Sequence, residues 1–246
     1  MLGDLVEDSR NTIYVMSGRR PEELERLFRL VPNLGLIAEN GCFVRSAGQS
    51  SWTDLADREK VRNFKESVRT ILQYYLERTP GSEIEERSCS LIFNSKNAED
   101  FDQAQRQASD WTGHINESCE EQRVHATQLE ACVVAEPIDW TKETAAAKIY
   151  QDYVAEKGTT PELVLVVGDG REDEKVFKWA NALQKGGDVK EAVTVSLGTR
   201  NTEAKTTLTQ GVSGKQTVSE LSISVPKHTN PAAGVLVTLL RLAGLS

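Results

Sequence analysis

Long apolar runs are missing from this sequence. No stretch approaches the roughly 20 residues that a helix needs to cross a bilayer, which excludes a transmembrane helix and points to no membrane partner. Positive charge is also short: 29 lysines and arginines stand against 37 aspartates and glutamates, for a net charge of −8. An acidic chain of this kind argues against a nucleic-acid partner held mainly through phosphate contacts. Cysteine is scarce, and Cys42, Cys89, Cys119 and Cys132 include no Cys-x-x-Cys pair. They read as free, buried thiols of a reducing compartment, so a cytoplasmic location is expected. The opening Met-Leu-Gly-Asp-Leu-Val-Glu-Asp lacks the basic and apolar regions of a secretory signal. What remains is a chain of 246 residues, 39% hydrophobic, long enough to bury a sizeable core as one large or two small domains.

The apolar segments that are present alternate in kind. Asn11-Thr-Ile-Tyr-Val-Met16 is a β-branched run ending at Ser17-Gly18-Arg19 and predicts a buried strand with its exit loop. Pro21 suits a helix start, with Leu24, Leu27, Phe28 and Val31 at helical spacing. Residues 33–38 and 42–45 read as two strands around Asn40-Gly41, a hairpin signal. Strand, helix, strand is the order a parallel sheet needs. After Arg45 the texture changes. A long amphipathic helix through Val61, Phe64, Val68 and Leu72 leads to strand-like runs at 83–87 and 88–93. A polar helix over 98–115 and runs at 123–127 and 129–135 complete an inserted α+β unit. The α/β rhythm resumes with a helix over 142–155 and the strand Leu163-Val-Leu-Val-Val167, followed by a helix through Val176, Phe177 and Ala180. A strand over 191–197 and a short helix over 202–208 come next. A loose segment over 211–217, a strand over 219–225 and an apolar helix over 231–245 end the chain. The domains predicted are a core of 1–45 and 137–246 and an inserted unit of 46–136.

Three features on that core carry chemistry. Ser17-Gly18-Arg19 follows a strand, Lys142 opens a helix, and Gly168-Asp169-Gly170 with Asp173 follows a strand. A hydroxyl, an ammonium and carboxylates gathered at the carboxyl edge of an open sheet can hold a phosphoryl group and its divalent cation. Each signal alone has a simpler reading: a turn cap, a solvated lysine, an acid capping the next helix. Their order along an α/β core is what favours the phosphoryl reading.

With these residues in view, the chain resembles the trehalose-6-phosphate phosphatase domain of the haloacid-dehalogenase superfamily, and most of all the phosphatase-like domains of fungal trehalose synthase complexes. The resemblance runs through Val15-Met-Ser-Gly-Arg19, Leu34-Gly-Leu-Ile-Ala-Glu-Asn-Gly-Cys-Phe-Val-Arg45, Glu77-Arg-Thr-Pro-Gly-Ser82, Thr141-Lys-Glu-Thr-Ala145 and Val167-Gly-Asp-Gly-Arg-Glu-Asp-Glu174. It implies a doubly wound α/β core with an inserted cap. It also implies a phosphate-binding role for Ser17, Gly18, Arg19 and Lys142, a cap-facing or substrate-facing role for Glu39, Asn40, Gly41 and Arg45, and metal ligation by Asp169 and Asp173.

The same resemblance brings out departures. The family's mechanism uses an Asp-x-Asp-Gly-Thr at the end of the first core strand, with one aspartate as nucleophile and the other as general acid/base. The only Asp-x-Asp here is Asp100-Phe-Asp102, inside the polar helix of the insertion. The metal motif Gly-Asp-Asp-x-Thr-Asp-Glu has Gly170 for its second aspartate and Glu172 for its threonine. A Glu-Val-Arg-Pro that reads the sugar has become Val134-Ala-Glu-Pro137, and Phe93-Asn-Ser-Lys96 stands for a Trp-His-Tyr-Arg. The expectation is a pseudophosphatase needing no cofactor, with Mg²⁺ bound weakly or not at all. It would be a regulatory or scaffolding part of a trehalose synthase complex, partnered by trehalose-6-phosphate synthase and active phosphatase subunits. Two alternatives stand beside it: a truncated piece of an active Mg²⁺-dependent phosphatase, and a sugar-phosphate sensor that does not hydrolyse. The missing first core strand would lie between the strand ending at Ser17 and the one ending at Asp169. Three arrangements would resolve that gap: direct pairing of the neighbours, another segment such as 219–225 in the slot, or residues of a longer natural polypeptide.

Overall fold

A computed structural model describes residues 2–129, 131–198, 201–208 and 235–240. The chain divides into two compact units, residues 1–53 with 142–246, and residues 54–141. The outgoing crossing comes at 53/54 because β4 first joins the first sheet, and the return comes at 141/142 because β8 of the second sheet runs to Pro137.

The first unit is built on an eight-stranded sheet. Helix α1 (Leu2–Glu7) leads into β1 (Asn11–Met16), α2 (Pro21–Phe28), β2 (Gly35–Ala38), β3 (Phe43–Arg45) and the two-residue β4 (Thr53–Asp54). The α2 start follows from its sequence: Pro21 needs no hydrogen bond for its nitrogen, and the Glu23 carboxylate accepts from Arg20 N–H at 3.0 Å. Leu24 and Phe28, one helical turn apart, are buried against Ile13, Val15, Leu34 and Leu36. β2 and β3 pair antiparallel through a short 3-10 turn at Glu39–Gly41, as the Asn-Gly signal predicted.

The second unit comprises α3 (Arg58–Leu76), β5 (Glu83–Glu86), β6 (Leu91–Asn94), α4 (Phe101–Ser118), β7 (Val124–Gln128) and β8 (Cys132–Pro137). Its strands form an antiparallel sheet in the order β5-β6-β8-β7. Val61, Phe64, Val68 and Leu72 of α3 and Ala104, Ala108, Trp111 and Ile115 of α4 are the buried helical stripes the periodicity predicted. Asp100, first member of the only Asp-x-Asp, caps α4 by accepting from Gln103 N–H at 2.8 Å.

The chain then returns to the first sheet through α5 (Lys142–Lys157), β9 (Leu163–Gly168), α6 (Glu174–Gly186), β10 (Glu191–Leu197), β11 (Thr206–Leu208) and β12 (Val235–Leu240). The strand order is β11-β10-β9-β12-β1-β2-β3-β4. β12 therefore lies between β1 and β9 and is parallel to both, with Thr238 opposite Tyr14 on one side and Val166 on the other.

Two predictions are corrected here. The segment read as an apolar helix over 231–245 holds a strand at Val235–Leu240. A short apolar run has no periodicity that separates a doubly buried strand from a helix, and open ladders on β1 and β9 supply the partners its backbone needs. Of the three resolutions offered for the gap, another segment fills it. That segment is not 219–225, which with 211–217 lies outside the described residues. The short helix read over 202–208 is instead the edge strand β11, parallel to β10. Its Thr206 and Thr207 are β-branched, and the Glu174 carboxylate holds the approach to it through Thr202 Oγ1 and Glu203 N–H. The thiols of Cys42, Cys89 and Cys119 are buried and that of Cys132 is half-buried, all unpaired with one another. Among the described residues no helix is long and apolar enough to cross a membrane.

Candidate phosphoryl site

Ser17 leaves β1 at the carboxyl edge of the sheet. Its N–H donates to Ile37 O at 3.0 Å, and its hydroxyl oxygen accepts from Arg19 N–H at 3.1 Å, which fixes a tight turn. That turn is latched to the neighbouring one. Glu39 N–H donates to Arg19 O at 3.0 Å, and Asn40 N–H to Ser17 O at 3.1 Å. Glu39, Asn40 and Gly41 have φ of 43°, 55° and 115°, three consecutive left-handed residues. Only the glycine adopts that region without cost, so the two latching hydrogen bonds and the burial of Glu39 hold the other two there. The Asn40 side chain closes over Gly18, where a Cβ would come within 3.1 Å of it. Arg45 does not join this group. Its guanidinium lies 5.9 Å from the centre of the Trp52 ring and reaches Leu34 O at 3.5 Å, toward the amino end of β2.

The second half of the site is the turn after β9. Asp173 is wholly buried and Lys142, the first residue of α5, is 3% exposed. Asp173 Oδ1 accepts from Lys142 Nζ at 2.7 Å. Asp173 Oδ2 accepts from the N–H groups of Asp169 at 3.0 Å and Gly170 at 2.8 Å. The carboxylate is thus the staple of the Gly168-Asp169-Gly170 turn. Gly168 is required for it, since a Cβ there would lie 2.4 Å from Asp173 Oδ2. Glu172 supplies a second carboxylate, with Oε1 3.1 Å from Lys142 Nζ. Burial pulls the Lys142 pKa down, but the opposing charges of Asp173 and Glu172 outweigh it and hold the ammonium above its usual value. Asp169 Oδ1 is buried without a hydrogen-bond partner.

The structure brings Lys142, Asp169 and Asp173 together, and it joins Ser17, Gly18 and Arg19 to Glu39, Asn40 and Gly41. The sequence did not reveal the Glu172 contact with Lys142. Its signal was present in the departure at position 172, which was read as a lost metal residue rather than a gained ion pair.

Of the two aspartates of this turn, Asp173 is not open to a magnesium ion, whereas Asp169 has a carboxylate oxygen without a hydrogen-bond partner. Mg²⁺ takes oxygen ligands in near-octahedral order, and both Asp173 oxygens are spent on Lys142 and on turn N–H groups. Among the described residues no group of three or more histidines, cysteines, aspartates or glutamates could hold a metal ion.

A sequence profile of the trehalose-phosphatase family matches residues 1–211. This chain belongs to that family. The 100 kDa subunit of a putative α,α-trehalose-phosphate synthase from Schizosaccharomyces pombe is 37% identical over 83% of the chain and 22% of its own length. A trehalose-phosphatase of the same yeast is 30% identical over 72% of the chain and 21% of its own length. The chain spans about a fifth of the length of these curated relatives. Among solved structures, the C-terminal domain of the Candida albicans trehalose synthase regulatory protein superposes with a TM-score of 0.72 at 25% identity, over 84% of this chain and 80% of that one. The C-terminal domain of the C. albicans trehalose-6-phosphate phosphatase gives 0.71 at 27% identity, over 85% and 77%. The family's fold is therefore the fold here: a haloacid-dehalogenase-like α/β core interrupted by an α+β unit.

Proposed function

We propose that this trehalose-phosphatase family chain is a phosphatase-like domain without phosphatase chemistry, acting in trehalose biosynthesis as a regulatory or scaffolding part of a trehalose synthase complex. The observation that carries the reading is the identity of the strand between β1 and β9. In the family, the strand in that position ends in the nucleophilic aspartate. Here the position is taken by Val235-Leu-Val-Thr-Leu-Leu240, with Leu239 opposite Val167 and Leu240 opposite Met16, and none of its six residues has a carboxylate. Loss of a nucleophile costs on the order of 10⁴–10⁶ in rate where it has been dissected.

The commitment of both Asp173 oxygens to Lys142 and to turn N–H groups supports the same reading, because it lies outside the strand itself. Similarity to a synthase subunit and to a regulatory-protein domain supports the regulatory assignment. The partners in this reading are trehalose-6-phosphate synthase and active phosphatase subunits, in the cytoplasm, with neither membrane nor nucleic acid involved.

Co-purification of the full natural polypeptide tests the assignment. The domain should retain synthase or active phosphatase subunits through gel filtration. Elution alone, with phosphate released from trehalose 6-phosphate by the isolated polypeptide, would overturn it.

A further inference from the structure

Lys142 offers three N–H donors, and two of its neighbours are carboxylates of very different standing. Asp173 is wholly buried, makes the shorter contact at 2.7 Å and staples the turn with its other oxygen. Glu172 makes the longer contact at 3.1 Å, and its side chain is 44% exposed. The first is part of the fold. The second can leave without stranding a buried charge, because water waits on its far side and Asp173 stays with the lysine.

Gly170 explains how Glu172 gets there. Its φ of −90° is open to any residue, so conformation does not demand a glycine. Space does: a Cβ at position 170 would lie 2.4 Å from the Glu172 carboxylate, which folds back across the glycine to reach the lysine. The two departures, Gly170 and Glu172, are therefore one device: the first clears the path that the second uses.

We propose that Glu172 is a displaceable internal carboxylate that occupies the oxyanion position at Lys142, so that a phosphate or phosphomonoester binds there only by pushing it aside. A carboxylate and a phosphate oxygen make the same kind of charge-assisted hydrogen bond to an ammonium. Phosphate oxygens would take the Lys142 donor that Glu172 now holds, while Asp173 keeps its own. The consequence is a site held closed in the free chain and coupled to the turn 170–173: an anion that enters must swing Glu172 out toward solvent. This inference does not depend on the absence of turnover. Hydrolysis by the parent chain would overturn the function proposed above and leave this contact to be judged by binding alone.

Inorganic phosphate is the probe, titrated against the chain by ³¹P NMR line broadening and by calorimetry. Glu172→Ala removes the internal anion, and Gly170→Ala evicts it by filling the space it crosses, leaving the Asp173 pair intact in both. Each should bind phosphate up to about fivefold more tightly than the parent, the amount a half-exposed ion pair can withhold. The gain should vanish when Lys142→Met is added together with Asp173→Asn, a combination that removes the cation without leaving a buried carboxylate alone. Parent-like phosphate affinity in Glu172→Ala, or a gain that survives loss of Lys142, would overturn the proposal.

Discussion

Lys142 and Asp173 form a buried ion pair whose carboxylate also staples the turn after β9. At this scale the sequence singled out residues without revealing what they touch. Asp173 was legible as an acid four residues beyond Asp169, but its partners are the lysine and two backbone N–H groups, contacts that spacing does not encode. The pair makes a direct prediction. Asp173→Ala leaves an ammonium buried without its main counter-charge, at a cost of about 3–5 kcal/mol, measured by urea denaturation. Its pH dependence follows from the same contact. Lys142 has a folded pKa raised above its unfolded value of about 10.4. Its contribution is thus fully present below about pH 10.4 and is lost as pH rises through the folded value. Melting temperatures followed from pH 8 to 12 should fall at the alkaline end in the parent, and Asp173→Asn should lose that step. Gly35→Ala is a second residue-level test. Its Cβ would lie 2.4 Å from the Tyr14 ring on the adjoining strand, so a loss of about 1–3 kcal/mol is expected by denaturant titration.

Among the elements, those with clear periodicity were legible. The stripes of α3 and α4 and the doubly buried run of β9 are where hydrophobic spacing put them. β12 and β11 were misread for one physical reason: both are short, and their state is decided by an open ladder beside them rather than by their own pattern. Gly198 N–H donating to Leu208 O at 2.9 Å is such a ladder contact for β11. For β12 the test is a proline. Thr238 faces Tyr14 on one side and Val166 on the other, in the interior of the sheet. Thr238→Pro removes an N–H there and should cost about 3 kcal/mol or more. A change within about 0.5 kcal/mol, the range of an ordinary surface substitution, would contradict the place of β12 in the sheet.

For the whole molecule, the family and the α/β fold were readable from motifs and rhythm. The filling of the central slot was not readable, because strand order is a matter of which distant segments pair. The proposed loss of phosphatase chemistry turns on that slot, which Val235–Leu240 fills here. Its neighbours retain the latched turns at Ser17–Arg19 and Glu39–Gly41 and the stapled turn after β9, so the edge stays ordered without a carboxylate at its centre. The decisive measurement is phosphate release from trehalose 6-phosphate with Mg²⁺, made on the full natural polypeptide. The account predicts no release above the uncatalysed background, and turnover in the ordinary enzyme range of about 1–10³ s⁻¹ would contradict it.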